Sequence, residues 1–169
     1  ELCAYYTGEA VKAYRYAEKQ EWSQLDDLQN IGTSGMRGRD FKQMAAAFLY
    51  NLTGERSWED VMAQESVVKD GKSPVFSKQG RNQFYQIWGT AAYLTCPHER
   101  HYPELYANMK SSVNHQADEN NVNHMYARPS RRTANDPRWQ TSQNLQMVML
   151  AHYIADNSER RSRLETAMY

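Results

Sequence analysis

Cysteine is nearly absent from this chain: Cys3 and Cys96 are the two in 169 residues. Thiols so far apart make no disulfide framework, and no Cys-x-x-Cys pair offers a metal site. Net charge is missing too, because 20 Lys and Arg balance 20 Asp and Glu. No basic patch stands ready to neutralise a phosphate backbone, which argues against general nucleic-acid binding. Long apolar runs are lacking, and no stretch approaches the ~18 residues that a membrane span needs. The sequence also has no Gly-x-Ser-x-Gly elbow, no Walker loop and no His-Glu-x-x-His. Phe is scarce at four, whereas Tyr reaches twelve and Trp four. Tyr and Trp join a flat apolar face to a polar handle, which suits sugar faces and wet interfaces as well as helical cores.

What is present is repetition. Three stretches share a plan: an apolar helix rich in small residues, a short polar turn, and a second helix. They begin at Ala45-Ala46-Ala47-Phe48-Leu49-Tyr50, at Ala91-Ala92-Tyr93-Leu94, and at Met149-Leu150-Ala151-His152-Tyr153-Ile154. The turns are Thr53-Gly54-Glu55-Arg56, Cys96-Pro97-His98-Glu99-Arg100 and Asp156-Asn157-Ser158-Glu159-Arg160. A degenerate copy opens the chain at Ala4-Tyr5-Tyr6-Thr7-Gly8-Glu9. A lone hairpin of helices cannot bury its apolar face, so neighbouring hairpins must cover one another. The expectation is an all-α fold, a single helical domain over residues 1–169. The chain starts at Glu1 and stops at Tyr169 within an apolar-periodic run, which reads as a piece of a larger domain.

Periodicity predicts helices over 8–20, 37–52, 81–95, 103–113, 139–155 and 159–169. In the second, Phe41, Met44, Ala45, Phe48, Leu49 and Leu52 form one apolar stripe. Ser57 reads as the N-cap of a short following helix, with Asp60 three residues on and Trp58, Val61 and Met62 on its buried side. Residues 69–80 read as a polar loop. Gly32, Gly35 and Gly38 lie three apart, but with no strand before them they bend the backbone or admit a close neighbour rather than cradle a dinucleotide. Asn51-Leu52-Thr53 is a formal glycosylation triplet at the end of a helix.

Residues 114–138 are the longest segment without periodicity, and a loop of that length inside a compact domain is functional or disordered. It holds His115, His124, Tyr126, Arg128, Arg131, Arg132 and Arg138, with Trp139 just beyond. One reading stacks an aromatic on a sugar ring and uses Arg and Asn for its hydroxyls; the other is a solvated basic loop. His98 and His101 have a spacing that metal ligands on a helix use, but they straddle a Pro-containing turn without an obvious carboxylate partner, so turn histidines are the simpler reading. His152, on an apolar helix, reads as a hydrogen-bonded core residue. Asp26-Asp27 reads as solvated charge or a cap rather than a general acid and base. No complete catalytic set, metal site or cofactor site is legible.

The run from Arg138-Trp139-Gln140-Thr141-Ser142-Gln143-Asn144 to Ala151-His152-Tyr153 resembles part of the glycoside hydrolase family 9 catalytic domain. Arg163-Leu164-Glu165-Thr166-Ala167-Met168-Tyr169 and the units from Gly35 through Glu59 resemble other helices of that family. Gln140 stands where the family has Gly, and the family's base-bearing and acid-bearing motifs lie outside this chain. The resemblance implies hairpins forming the middle-to-late part of an (α/α)6 toroid. It implies inverting hydrolysis of β-glucan or a related oligosaccharide, with no cofactor, in a secreted or periplasmic setting, a cytoplasmic one being left open. The expected partners are the oligosaccharide or polysaccharide and the remainder of the same domain. His124, Tyr126, Arg128, Arg138 and Trp139 are the candidate substrate-binding residues; the catalytic residues are not assigned. A non-catalytic helical-repeat scaffold and an α/α-toroid polysaccharide lyase are the alternatives.

Overall fold

A computed structural model describes residues 2–19, 38–77, 84–119 and 137–168, without the side chains of 137–144. The fold is all-α and is built from helical hairpins. Its helices are α1 (Leu2–Lys19), α2 (Gly38–Thr53), α3 (Arg56–Gln64), α4 (Ile87–Leu94), α5 (Pro103–Ala117), α6 (Pro137–Tyr153) and α7 (Ser158–Met168). A single antiparallel bridge, β1 (Phe76–Ser77) with β2 (Phe84–Tyr85), is the only sheet among the described residues. The three expected repeats are the hairpins α2–α3, α4–α5 and α6–α7. The fourth is not a hairpin: its supposed turn at Thr7-Gly8-Glu9 lies inside the unbroken α1.

Local chemistry sets the boundaries. Ala45-Ala46-Ala47 are strong helix formers. The chain then leaves α2 through Gly54, whose positive φ of 69° closes the helix with a Gly54 N–H···O=C Tyr50 bond of 2.8 Å. The ring of His98 lies over this glycine, so a Cβ there would meet Nδ1 at 3.0 Å. Pro103 occupies the first turn of α5, where its missing N–H is no loss. Asn157 caps α7, its Oδ1 accepting the Arg160 N–H at 2.8 Å. The expected Ser57 cap is not used. Glu55 takes the N-cap position of α3 without a side-chain bond, and Asp60 turns outward to the Tyr102 hydroxyl at 2.8 Å.

Helix α2 packs on α3 and α4, and α6 packs on α5 and α7. Tyr50, Met62, Ile87, Tyr93, Met109, Met147 and Leu164 are fully buried at the centre. Tyr14 docks α1 edge-on against Trp58, ring centroids 4.9 Å apart. The stripe expected on α2 divides. Ala46, Ala47, Leu49 and Tyr50 are buried with Asp40 and Gln43, whereas Phe48 and Leu52 are exposed. Close packing against α4 explains this: Gly89 and Ala92 leave room for the α2 backbone, and the amide of Gln43 fills the space beside Gly89.

The expected helix over 81–95 is also shorter than predicted, because Phe84–Tyr85 is extended. Buried Asp40 stabilises that conformation by accepting the Tyr85 N–H on Oδ2 at 2.9 Å, while the Gln86 N–H donates to the Val75 carbonyl at 2.8 Å. The Asn51 triplet is structural: Nδ2 donates to the Ala92 carbonyl at 2.6 Å, tying α2 to α4.

Candidate functional site

Between the end of α3 and β1 the chain makes a loop, residues 65–75, and this loop forms one wall of an open groove of about 420 Å³. Its volume lies within the range of roughly 300–1,000 Å³ in which small-ligand sites fall. Arg39 at the start of α2, Gln64 and Glu65 at the end of α3, Ser66, Val67, Lys69, Ser73 and Pro74 of the loop, and Phe84 of β2 line it. Phe84 and Pro74 supply apolar faces; the rest supply donors, acceptors and charge.

The loop is irregular but fixed, because its main-chain groups find side-chain partners. Gln86, almost fully buried, accepts the Val67 N–H at 2.9 Å and donates to the Glu65 carbonyl at 2.9 Å. The Ser73 hydroxyl accepts the N–H groups of Lys69 and Asp70, both at 3.1 Å. Ser112 of α5 donates to the Asp70 carbonyl at 2.9 Å. Gln116 of α5 accepts the Val75 N–H at 3.1 Å and donates to the Phe76 carbonyl at 3.2 Å. The Lys72 N–H and the Ser73 hydroxyl donate to the Asp70 carboxylate, and these bonds hold it below its ordinary pKa of 3.8. A wall anchored in this way loses little conformational entropy when a ligand arrives.

Charge in the groove is uneven. Glu65 is matched by Lys42 at 3.0 Å. Arg39 lies over the Phe84 ring, 5.8 Å from its centroid, in cation–π range. Lys69 is exposed, and its ammonium has no ion-pair partner among the described residues.

A second polar cluster lies on the other side of α3. Glu59 is fully buried and accepts from the Tyr93 hydroxyl at 2.6 Å and the His101 N–H at 2.9 Å. Its other oxygen meets His101 Nδ1 at 2.5 Å. Burial and then the bond to Glu59 push the Tyr93 phenol pKa far up. Arg100 beside it closes the same turn, donating to the carbonyls of Leu94, Cys96 and His98 and covering the Tyr106 ring at 4.6 Å. This cluster ties the α4–α5 turn to α3.

Of the sequence candidates, His124, Tyr126 and Arg128 lie outside the described residues, as do Arg131, Arg132, Asp26, Asp27, Gly32 and Gly35. Arg138 and Trp139 fall in the first turn of α6, their side chains also outside the description. His101 does have a carboxylate partner, contrary to expectation, because Glu59 reaches it from a buried position 42 residues away in sequence. His98 bonds the Asn51 carbonyl through Nε2 at 3.1 Å. His152 is hydrogen-bonded as expected, to Glu165 at 3.0 Å, but it is half-buried between α6 and α7 rather than in the core. Among the described residues no cluster of His, Cys, Asp and Glu is arranged to hold a metal. No described helix is long and apolar enough to cross a membrane.

The groove itself was missed from sequence. The signal lay in Asp70-Gly71-Lys72-Ser73, a turn set between Val67-Val68 and Val75-Phe76, which marks an ordered loop rather than a spacer. Comparison with family models, curated proteins and solved structures gives no match for this chain.

Proposed function

We propose that this chain supplies scaffold and one wall of a saccharide-binding cleft in a carbohydrate-active protein of helical hairpins. The observation that carries this reading is the anchored groove, which sets hydrogen-bonding groups around the faces of Phe84 and Pro74. A sugar ring needs both: an apolar face to lie against and directed polar partners for its hydroxyls. The resemblance to glycoside hydrolase family 9 adds the reaction, inverting hydrolysis of a β-linked glucan or related oligosaccharide. It also adds closure of the hairpins into an (α/α)6 toroid with the remainder of the domain, and a secreted or periplasmic setting.

Inversion requires two carboxyl groups about 6.5–9.5 Å apart, one activating water and one protonating the leaving oxygen. Among the described residues Glu65 is the one carboxylate lining the groove, and Lys42 neutralises it. The reading therefore gives the groove residues the work of holding and orienting substrate, with the reacting carboxylates elsewhere. Lys69 favours a second reading, a polysaccharide lyase acting on an acidic sugar. Neutralising a uronate carboxylate makes the neighbouring C–H easier to deprotonate, which elimination requires.

Incubation of the full-length gene product with cello-, mixed-linkage β-glucan, chito- and uronate oligosaccharides tests the proposal. New reducing ends without an ultraviolet-absorbing unsaturated product support the hydrolase, and the unsaturated product supports the lyase. If no saccharide binds or is cleaved, the carbohydrate reading is wrong.

A further inference from the structure

We infer that the outer face of α1 is a self-association surface, on which a second copy of this chain lays its own α1 antiparallel. The inference stands apart from the saccharide reading. Helix α1 carries apolar side chains on two opposite faces. Val11 and Tyr14 hold one face against the body, with Tyr14 buried edge-on to Trp58. The other face carries Leu2, Tyr5, Glu9, Lys12, Tyr16 and Lys19, all exposed. These six recur alternately three and four residues apart, the spacing that keeps one seam of a helix turned toward a partner helix. Leu2, Tyr5 and Tyr16 stand 67%, 62% and 68% exposed, and Tyr6 flanks them at 62%. A single exposed apolar side chain is ordinary, but four along one helix make a patch.

The order of the seam selects a second copy over an unrelated partner. Turning α1 over onto itself about a two-fold axis at its middle sets Tyr5 on Tyr16 of the second copy, twice. The same operation sets Glu9 opposite Lys12 at the centre and Leu2 along the apolar stem of Lys19 at each end. At the flank, Tyr6 meets the guanidinium of Arg15. An isologous contact demands this self-complementarity, because each pairing occurs twice. The Glu9–Lys12 ion pair, 2.7 Å within one helix, becomes half of a ring of alternating charge. Parallel alignment would instead set Glu9 on Glu9 and Lys12 on Lys12. Leu2 and the three tyrosines offer roughly 500 Å² per copy, so about 1,000 Å² over both, the lower limit for a specific interface. The association is therefore weak and depends on concentration.

The test is sedimentation velocity of the full-length gene product at micromolar to submillimolar concentrations. A monomer–dimer equilibrium is expected, and Tyr16→Glu weakens it by about tenfold or more. Glu9→Lys and Lys12→Glu each set like charges across the axis and weaken self-association, whereas an equimolar mixture of the two variants restores it. In a Cys3→Ser background, oxidation joins Tyr5→Cys to Tyr16→Cys in a mixture. Neither variant joins to itself, because antiparallel packing holds like positions about 16 Å apart, beyond disulfide reach. The substituted side chains are exposed, so the variants keep the wild-type melting temperature. A monomer at every concentration overturns the inference, including the case in which another part of the same protein covers the face. A dimer indifferent to Tyr16→Glu and to both charge reversals uses another surface and also overturns it. Joining of Tyr5→Cys to itself reveals parallel alignment and overturns the antiparallel one.

Discussion

Replacing Glu59 by Ala removes the acceptor for three bonds: the Tyr93 hydroxyl at 2.6 Å, the His101 N–H at 2.9 Å and His101 Nδ1 at 2.5 Å. Glu59 and Tyr93 are both fully buried, so no water replaces the lost partner. Each buried polar group left unsatisfied costs roughly 1–3 kcal/mol. Deleting a buried carboxylate also relieves its desolvation penalty, which offsets part of that loss. Measured breakage of comparable buried pairs nets about 3–5 kcal/mol, and that is the expected destabilisation. For a chain of this size it lowers the melting temperature by on the order of 10 °C. Glu59→Gln, which keeps one acceptor for Tyr93, costs about 1–2 kcal/mol. The assay is urea unfolding of Glu59→Ala, Tyr93→Phe and the double variant at neutral pH. The double variant should be more stable than the sum of the singles by about 1 kcal/mol or more, because removing the hydroxyl removes one of the orphaned groups. A Glu59→Ala protein within about 1 kcal/mol of wild type, or strict additivity, refutes the argument that Glu59 fastens the α4–α5 turn to α3.

Other perturbations test other joints. Gly89→Ala should destabilise despite the ~1 kcal/mol that helix propensity offers, because its Cβ would stand 1.8 Å from Gln43 Oε1 in a closed interface. Adding Gln43→Ala should recover most of the loss in denaturant titrations, and a stabilised single variant contradicts the interface. Gly54→Ala should cost about 1–2 kcal/mol, since φ there is 69° and the new methyl meets the His98 ring; an unchanged unfolding midpoint counts against it. Tyr93 has its pKa raised above the ordinary 10.0. The unfolded chain therefore releases that proton first, and stability present below pH 10 falls as pH rises beyond it. Tyr93→Phe should reduce that alkaline slope by up to about 1.4 kcal/mol per pH unit, and an unchanged slope contradicts the assignment. Trp139→Ala should weaken oligosaccharide binding without lowering the melting temperature; unfolding, or unaltered binding, removes Trp139 from the cleft.

The hairpin order was legible because small residues followed by a polar turn recur, and helix pairs are local structures. Gly54 and Pro103 marked their boundaries for backbone reasons that need no tertiary knowledge. The face that each helix buries was less legible. On α2, periodicity selected Phe48 and Leu52, but approach to Gly89 and Ala92 of α4 is what turned Asp40 and Gln43 inward. A buried Asp40 that stabilises an extended Tyr85 cannot be inferred from either segment alone, since the two lie 45 residues apart. Glu59 escaped notice for the same reason: a Glu on a short helix reads as a wet residue until Tyr93 and His101 are brought to it. The groove was hidden because Gln86, Ser112 and Gln116 support its loop from distant positions. Arg138 and Trp139 were selected by composition and by resemblance, neither of which bears on where Lys69 and Phe84 come together.

Residue-resolved NMR of the chain titrated with a β-glucan oligosaccharide and, separately, with a uronate oligosaccharide asks whether the groove is the ligand's seat. Amide shifts should change in a saturable way at Glu65, Val67, Lys69, Ser73 and Phe84, with little change around Glu59 and His101. Shifts confined to other surfaces, or no saturable shift at any of those five positions, would contradict the assignment of the groove to saccharide binding.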